Sequence, residues 1–385
     1  MRRGDVESLR SGETSLRDEG LISASPHLRV SASQIDWNKV KRVLVVRLRS
    51  IGDTVLATPS LIALKRFLPE AHIDILLEDW VAPVLDGFEF VDNVIIVGKD
   101  SRSRMRTAWK LRQQRYDIAF NLHGGTTGTF FTAASGARHR VGYAEYQYSF
   151  LYNHLLTDAT DFWQKPKPHS AEQQLALLGF IGIPVSNDQK TYLAVTEHAK
   201  LSIEKRLSSL IPHPSSFALL HPAAAFATKT WAAENFATTA EFLDKKGFNI
   251  VAVATKKERN VLDTMIYASR VPIIAFDDLS LPEITALASM SSIFVGNDSG
   301  IAHIAAAVDT PSVVVFGSSN RDNWRPWTSA PNEIVFESFP CQPCAGYVCK
   351  EFGEPRCILS VTPEQVFNAI DKVLEPLNTR IRNSF

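Results

Sequence analysis

Net charge is the first thing this sequence lacks: 41 Lys and Arg stand against 41 Asp and Glu over 385 residues. A balanced chain has no global electrostatic pull toward nucleic acid, and no nucleic-acid partner is expected. Long apolar runs are missing as well. No window approaches the roughly 18 uninterrupted apolar residues that a membrane-crossing helix needs. The opening MRRGDVESLRSGETSLRDEG has no apolar run behind its arginines and does not read as a secretory signal, so a cytoplasmic location is the expectation. Cysteine is scarce and confined: all four lie between Cys341 and Cys357, a local cluster that cannot staple a whole fold. Two glycine motifs are absent too. Neither G-x-G-x-x-G after a first strand nor G-x-x-x-x-G-K-[ST] occurs, which removes the main support for a dinucleotide or phosphate-loop site.

What is present is ordinary for a globular protein, with 45% hydrophobic and 21% charged residues. At roughly 150 residues per domain the length suggests two or three domains. Residues 1–38 mix Ser, Gly, Arg, Asp and Glu without periodicity and read as a flexible extension, with order starting near Trp37. From there β-branched runs alternate with helical stretches: RVLVVRL, a helix from Thr54 to Phe67, HIDILL, VDNVIIV, a basic helix, then DIAFNLHG. Strands buried on both faces read as continuous apolar runs, so this is the pattern of βα units around a parallel sheet. A polar, proline-bearing passage ending in IPHPSS interrupts the alternation. It then resumes with FALLHP, NIVAVAT, PIIAF, SIFVGND and SVVVFG, separated by helices. The fold class is therefore α/β in two similar halves. The boundaries read as 39–190 for the first, 191–216 for the linker, 217–375 for the second and 376–385 for a tail.

Three strand ends in these halves carry chemistry-bearing residues. Open α/β sheets bind ligands beyond the carboxyl ends of their strands, which is where RLRSIGD places Asp53. A carboxylate beside a helix start is held ionised and can take a proton from a hydroxyl; the same residue could equally be a plain N-cap. In VGNDSGIAHIAAAV, Asp298 or Ser299 caps a helix running to about Val308, with Gly300 leaving space at an anion-binding terminus. His303 lies one turn further in, for phosphate or for packing. Lys229, in HPAAAFATKTWAAENFA, stands before a helix expected to be capped by Thr230 or to begin near Trp231. It is a point charge suited to a diphosphate, or a solvated surface lysine. Glu258, after NIVAVAT, is placed to meet a ribose.

These segments carry a resemblance. RVLVVRLRSIGDTVLATPSLIALKRFLPEAHIDIL is similar to the opening of the heptosyltransferases of lipopolysaccharide assembly, glycosyltransferase family 9. HPAAAFATKTWAAENF resembles their HPGA…K-x-W-P-x-E-x-F, and GNDSGIAHIAAAVDTPSVVVFGSSNRDNWRPW their GNDTGPMHLAAALGTPVVALFGPT…W. YDIAFNLHG…SGARHRVGY resembles YDLVIDLQG…SGARRRIGF, and the likeness is colinear over roughly residues 40–375. The resemblance implies a GT-B fold, two Rossmann-like domains facing across a cleft, the first for the acceptor and the second for a nucleotide sugar. It implies Asp53 as general base, Lys229 on the diphosphate, Asp298 on the donor sugar, and Ser299 and Gly300 at a phosphate-facing helix terminus. The glycine of HPGA is Ala223 here, which adds a Cβ to that loop. The implied reaction is an inverting transfer from ADP-heptose to a phosphorylated lipopolysaccharide core acceptor, with no metal required for catalysis. Another nucleotide sugar on another glycan or protein acceptor, or a non-catalytic nucleotide-sugar binder, are the alternatives.

Two basic segments are candidates on the acceptor side. Between Lys99 and Asp117 there are seven Lys or Arg and two Asp, with Met105, Trp109 and Leu111 forming a partial apolar face. Such a helix can rest on the anionic inner-membrane surface, or be a solvated face on the sheet. Arg49, Arg138 and Arg140 are expected at acceptor phosphate. Cys341, Cys344, Cys349 and Cys357 follow the spacing C-x2-C-x4-C-x7-C, able to hold one structural zinc or to remain reduced packing thiols.

Overall fold

In the computed structural model, residues 35–211, 216–344 and 346–382 are described. The N-terminal extension up to residue 34, most of IPHPSS and the last three residues of the tail lie outside them. The first half is built from β1 (Arg42–Leu48), α1 (Ile51–Val55), α2 (Thr58–Phe67), β2 (His72–Glu78), β3 (Asn93–Val97), α3 (Ser101–Gln113), β4 (Ile118–Asn121), α4 (Gly125–Ala134), β5 (His139–Tyr143), β6 (His154–Leu156), α5 (Ala159–Trp163) and α6 (Ser170–Phe180), and α7 (Glu197–Ser208) follows in the passage to the second half, bonded to it through Ser202–Glu283 and Arg206–Asp278. The second half holds β7 (Phe217–His221), α8 (Ala233–Lys245), β8 (Asn249–Val253), α9 (Arg259–Ala268), β9 (Ile274–Phe276), α10 (Leu281–Met290), β10 (Ile293–Asn297), α11 (Gly300–Ala307), β11 (Ser312–Phe316), α12 (Arg321–Trp324), β12 (Asn332–Phe336), α13 (Arg356–Leu359) and α14 (Pro363–Arg382).

Each half centres on one six-stranded sheet, in the orders β3-β2-β1-β4-β5-β6 and β12-β11-β10-β7-β8-β9. All pairings are parallel. Counted from its own first strand, the second sheet repeats the order of the first, so each is a doubly wound half whose direction reverses beside its first strand. The inner strands β1, β7, β10 and β11 are buried on both faces, as their unbroken Val, Leu and Ile runs require. The two halves meet where α1 packs on α11. A Cβ on Gly52 would lie 2.6 Å from the His303 ring, and one on Gly300 would lie 2.9 Å from Ile51. The two glycines set that approach.

Local structure corrects several sequence expectations. The single helix from Thr54 to Phe67 is two helices, because Pro59 has no N–H to continue the ladder; the Thr58 hydroxyl donates to the Val55 carbonyl instead, at 2.7 Å. The first of them begins at Ile51, with Ser50 as its N-cap, so Asp53 is the third helical residue and not the cap. Neither Thr230 nor Trp231 starts α8, which is preceded by Ala232. Trp231 is fully buried and donates its ring N–H to the Val361 carbonyl. Leu111 does not share a face with Met105 and Trp109. It is buried on the sheet with Thr107 and Ala108, while Met105 and Trp109 are 62% and 64% exposed on the other side of the helix. Residues 376–382 continue the last helix. No helix among the described residues is long and apolar enough to cross a membrane.

Candidate active site

Asp53 is held from two directions. The capping box of α1 brings the Ser50 amide and hydroxyl to Oδ2, at 3.3 and 3.0 Å. On the other side Arg47, buried at the end of β1, places Nη2 2.6 Å from Oδ1. The same guanidinium donates to the Asp53 carbonyl at 3.1 Å and the Leu122 carbonyl at 2.7 Å. One arginine thereby ties β1, the first turn of α1 and the loop after β4 into a fixed frame for the carboxylate. Leu48, next in the chain, has φ 58°, and the β1–β2 register shifts there. A leucine pays for a left-handed conformation with about 1 kcal/mol, so the turn that presents Asp53 is strained backbone.

A cavity of about 600 Å3 opens at this point, bordered by Arg47, Asp53, His123 and Tyr146 from the first half and by Asn320 and Trp324 from the second. Its other walls are mixed, with Glu145, Asp158, Gln173 and Gln174 beside Leu122 and Leu177. The Gln174 amide is buried without a hydrogen-bond partner among the described residues. His123 is aimed by its loop: Asn121 Oδ1 accepts the amides of His123 and Gly124, both at 3.0 Å, and Asn121 is itself held by Tyr152. Burial, reinforced by the positive charge of Arg47, pushes the His123 imidazole down to about 4, so it stands neutral beside Asp53 at physiological pH.

In the second half Lys229 ends a short turn, and its ammonium lies 2.8 Å from Asp298, itself buried at the end of β10. Ser319 donates to the same oxygen at 2.5 Å. A second cavity, of about 320 Å3, is bordered by Lys229, Phe226, Ser319, Asn320, Trp324 and the Cys344 segment. Lys229 is thus a cation whose charge is compensated by Asp298 and whose side chain faces a pocket, the arrangement that can exchange one anionic partner for another.

The remaining expected site residues are placed elsewhere. Ser299 is the N-cap of α11 and contacts His221 at 3.2 Å, while Gly300 faces Ile51 of the other half; neither borders either cavity. His303 is buried against Gly52, and burial pushes its imidazole pKa down. Glu258 accepts from the Thr255 amide and hydroxyl in a capping box beyond β8. Arg49 is exposed. Arg138 and Arg140 are not brought to the cavity: they flank the start of β5, at the end of a parallel sheet opposite Asp53. Arg140 donates to the carbonyls of Leu151 and Ala137. Asp277 and Asp278 pair with two different arginines, Arg259 and Arg206. The four cysteines border one cavity of about 10 Å3. Even so, no three His, Cys, Asp or Glu side chains among the described residues are arranged to hold a metal ion.

Arg47, His123, Asn320 and Trp324 were not singled out by sequence. Arg47 had a signal, as a charged residue inside an apolar strand run; His123, Asn320 and Trp324 lie inside the family-like segments, but only the cavity sets them apart from their neighbours there.

Residues 104–353 match glycosyltransferase family 9 (heptosyltransferase). The chain belongs to this family. Lipopolysaccharide heptosyltransferase 3 of Escherichia coli is 26% identical over 355 residues, covering 86% of this chain and 99% of that protein. Lipopolysaccharide heptosyltransferase 2 of Salmonella typhimurium is 23% identical over 351 residues, covering 86% and 98%. Among solved structures, the family 9 glycosyl transferase of Veillonella parvula superposes with a TM-score of 0.78 at 20% identity, covering 90% of this chain and 100% of that one. The ADP-heptose lps heptosyltransferase II of E. coli gives 0.70 at 20%, covering 88% and 99%. The two doubly wound halves are thus a GT-B fold, and this family 9 chain is a glycosyltransferase.

Proposed function

We propose that this glycosyltransferase moves a heptosyl group from ADP-heptose to a hydroxyl of the lipopolysaccharide core, with inversion at the anomeric carbon. The observation that carries the reading is the division of labour between two adjoining cavities, a carboxylate frame at Asp53 in one and a cation at Lys229 in the other. The acceptor hydroxyl enters the larger cavity and gives its proton to Asp53 as its oxygen attacks; the diphosphate departs toward Lys229, which its charge stabilises. Asp298, buried behind Lys229 and bordering neither cavity itself, compensates Lys229 until the donor arrives and would then be freed toward the donor sugar. Glu258, beyond β8, remains the proposed ribose contact. The names of the relatives support heptose as the sugar and lipopolysaccharide as the acceptor. A donor screen by thermal shift with ADP-, UDP- and GDP-sugars tests this: stabilisation by ADP-heptose alone is expected, and preference for a UDP- or GDP-sugar would overturn the donor assignment.

The acceptor is lipid-linked in this reading, and the proposed place of work is the cytoplasmic face of the inner membrane. The exposed side of α3 supports it, where Met105 and Trp109 stand among arginines that form no ion pair among the described residues. Replacing Arg102, Arg104 and Arg106 by Gln should abolish binding to anionic liposomes; unchanged binding would remove the membrane contact. Structural zinc on Cys341, Cys344, Cys349 and Cys357 is supported only by their sharing one small cavity, since their present arrangement does not form a metal-holding group. Metal analysis of protein purified without added zinc decides it.

A further inference from the structure

The two cavities share a wall. Of the residues around them, Asn320 and Trp324 border both the cavity of Asp53 and the cavity of Lys229. They open and close α12, a single helical turn: the Asn320 carbonyl accepts from the Trp324 amide at 3.1 Å, and Asn320 Oδ1 caps the turn by accepting from the Asp322 amide at 3.0 Å. The Trp324 ring is partly buried, packed against the apolar core on one side and open to the cavities on the other. That packing gives the ring a backing on the core while part of it remains free to meet a ligand.

A displacement dictates what occupies such a junction. The acceptor oxygen forms its bond to the anomeric carbon while the bond from that carbon to the diphosphate oxygen breaks. The proton goes to Asp53, and the bonding pair leaves with the diphosphate toward Lys229. The carbon between them must touch both reactants, so the ring that contains it lies in the passage between the two cavities. We infer that the indole of Trp324 is the platform for the transferred sugar, with the Asn320 amide nitrogen, which makes no hydrogen bond among the described residues, taking one of its hydroxyls. A sugar presents a face of C–H bonds with partial positive charge, which matches the negative face of an aromatic ring. The platform recognises the sugar and ignores the nucleotide, and it selects for a ring with such a flat face. This rests on the transferase reading above and adds to it the group that positions the sugar.

The test compares two ligands on three proteins. Dissociation constants for ADP and for ADP-heptose are measured by calorimetry with wild type, Trp324→Leu and Trp324→Phe, thermal melts confirming the fold. Leucine keeps apolar bulk without the aromatic face, and phenylalanine keeps a face. Trp324→Leu should weaken ADP-heptose by about 4- to 10-fold and leave ADP within about twofold, while Trp324→Phe stays within about threefold for both. Parallel weakening of ADP and ADP-heptose, or no change in either, would overturn the platform. If wild type prefers another nucleotide sugar, only the donor assignment fails, and the same comparison is made with that sugar and its nucleotide. A wild type that binds no nucleotide sugar sinks both.

Discussion

Buried histidines are the residues whose charge state this fold decides most firmly. His169 caps α6, accepts from the Ala171 amide, reaches the Arg325 carbonyl at 2.9 Å and stacks on Trp327 at 4.5 Å, joining the two halves. Burial pushes its pKa down to about 3, and His221 and His303 move in the same direction for the same reason. The unfolded chain takes up protons near pH 6.5, whereas the folded chain refuses them. The stability these groups contribute is complete above pH 6.5 and is lost as the pH falls toward their folded values. Each such histidine costs up to about 1.4 kcal/mol per pH unit within that window. Melting temperatures measured from pH 7 to pH 4.5 should fall steadily below pH 6.5, ahead of carboxylate protonation. A flat profile down to pH 5 would contradict this assignment of neutral histidines.

At the scale of elements, legibility followed how local each signal was. Strands such as RVLVVRL and SVVVF announce themselves because a strand buried on both faces must be apolar throughout. β5, β6 and β12 escaped: β6 has only three residues, β5 opens on the polar pair His139-Arg140, and β12 is only partly buried. Asp53, Lys229 and Asp298 were legible because each sits where a short motif ends a strand. Asn320 and Trp324 were not, because their meaning comes from a wall shared by two cavities, one of them lined from both halves. Gly300 illustrates the difference: its missing side chain reads as room for a ligand, and the structure fills that room with Ile51. The contact of α1 with α11 makes Gly52 the more sensitive of the two positions. Gly52→Ala would drive a methyl group into the buried His303 ring, and overpacking of that kind costs about 1–3 kcal/mol. A lowered melting temperature, accompanied by reduced transfer because Asp53 is the next residue, is the expected result. An unchanged melting temperature would show that the two helices have slack.

For the whole molecule, the proposed mechanism has two copies of one sheet topology divide one reaction between them. Neither half holds all the parts: Asp53, Arg47 and His123 belong to the first, and Lys229, Asp298 and Trp324 to the second. The zero net charge is an average over local charges, with cations placed singly at strand ends and along α3. In the proposed mechanism, catalysis depends on a carboxylate fixed by its own half acting on a donor held by the other. Asp53→Asn removes the proton acceptor while keeping the size of the side chain. Transfer rate and donor dissociation constant measured together on that variant test the account most directly. The account predicts a fall of about 10²- to 10⁴-fold in kcat with the donor dissociation constant within about twofold of wild type. A folded Asp53→Asn enzyme that turns over at the wild-type rate would contradict it.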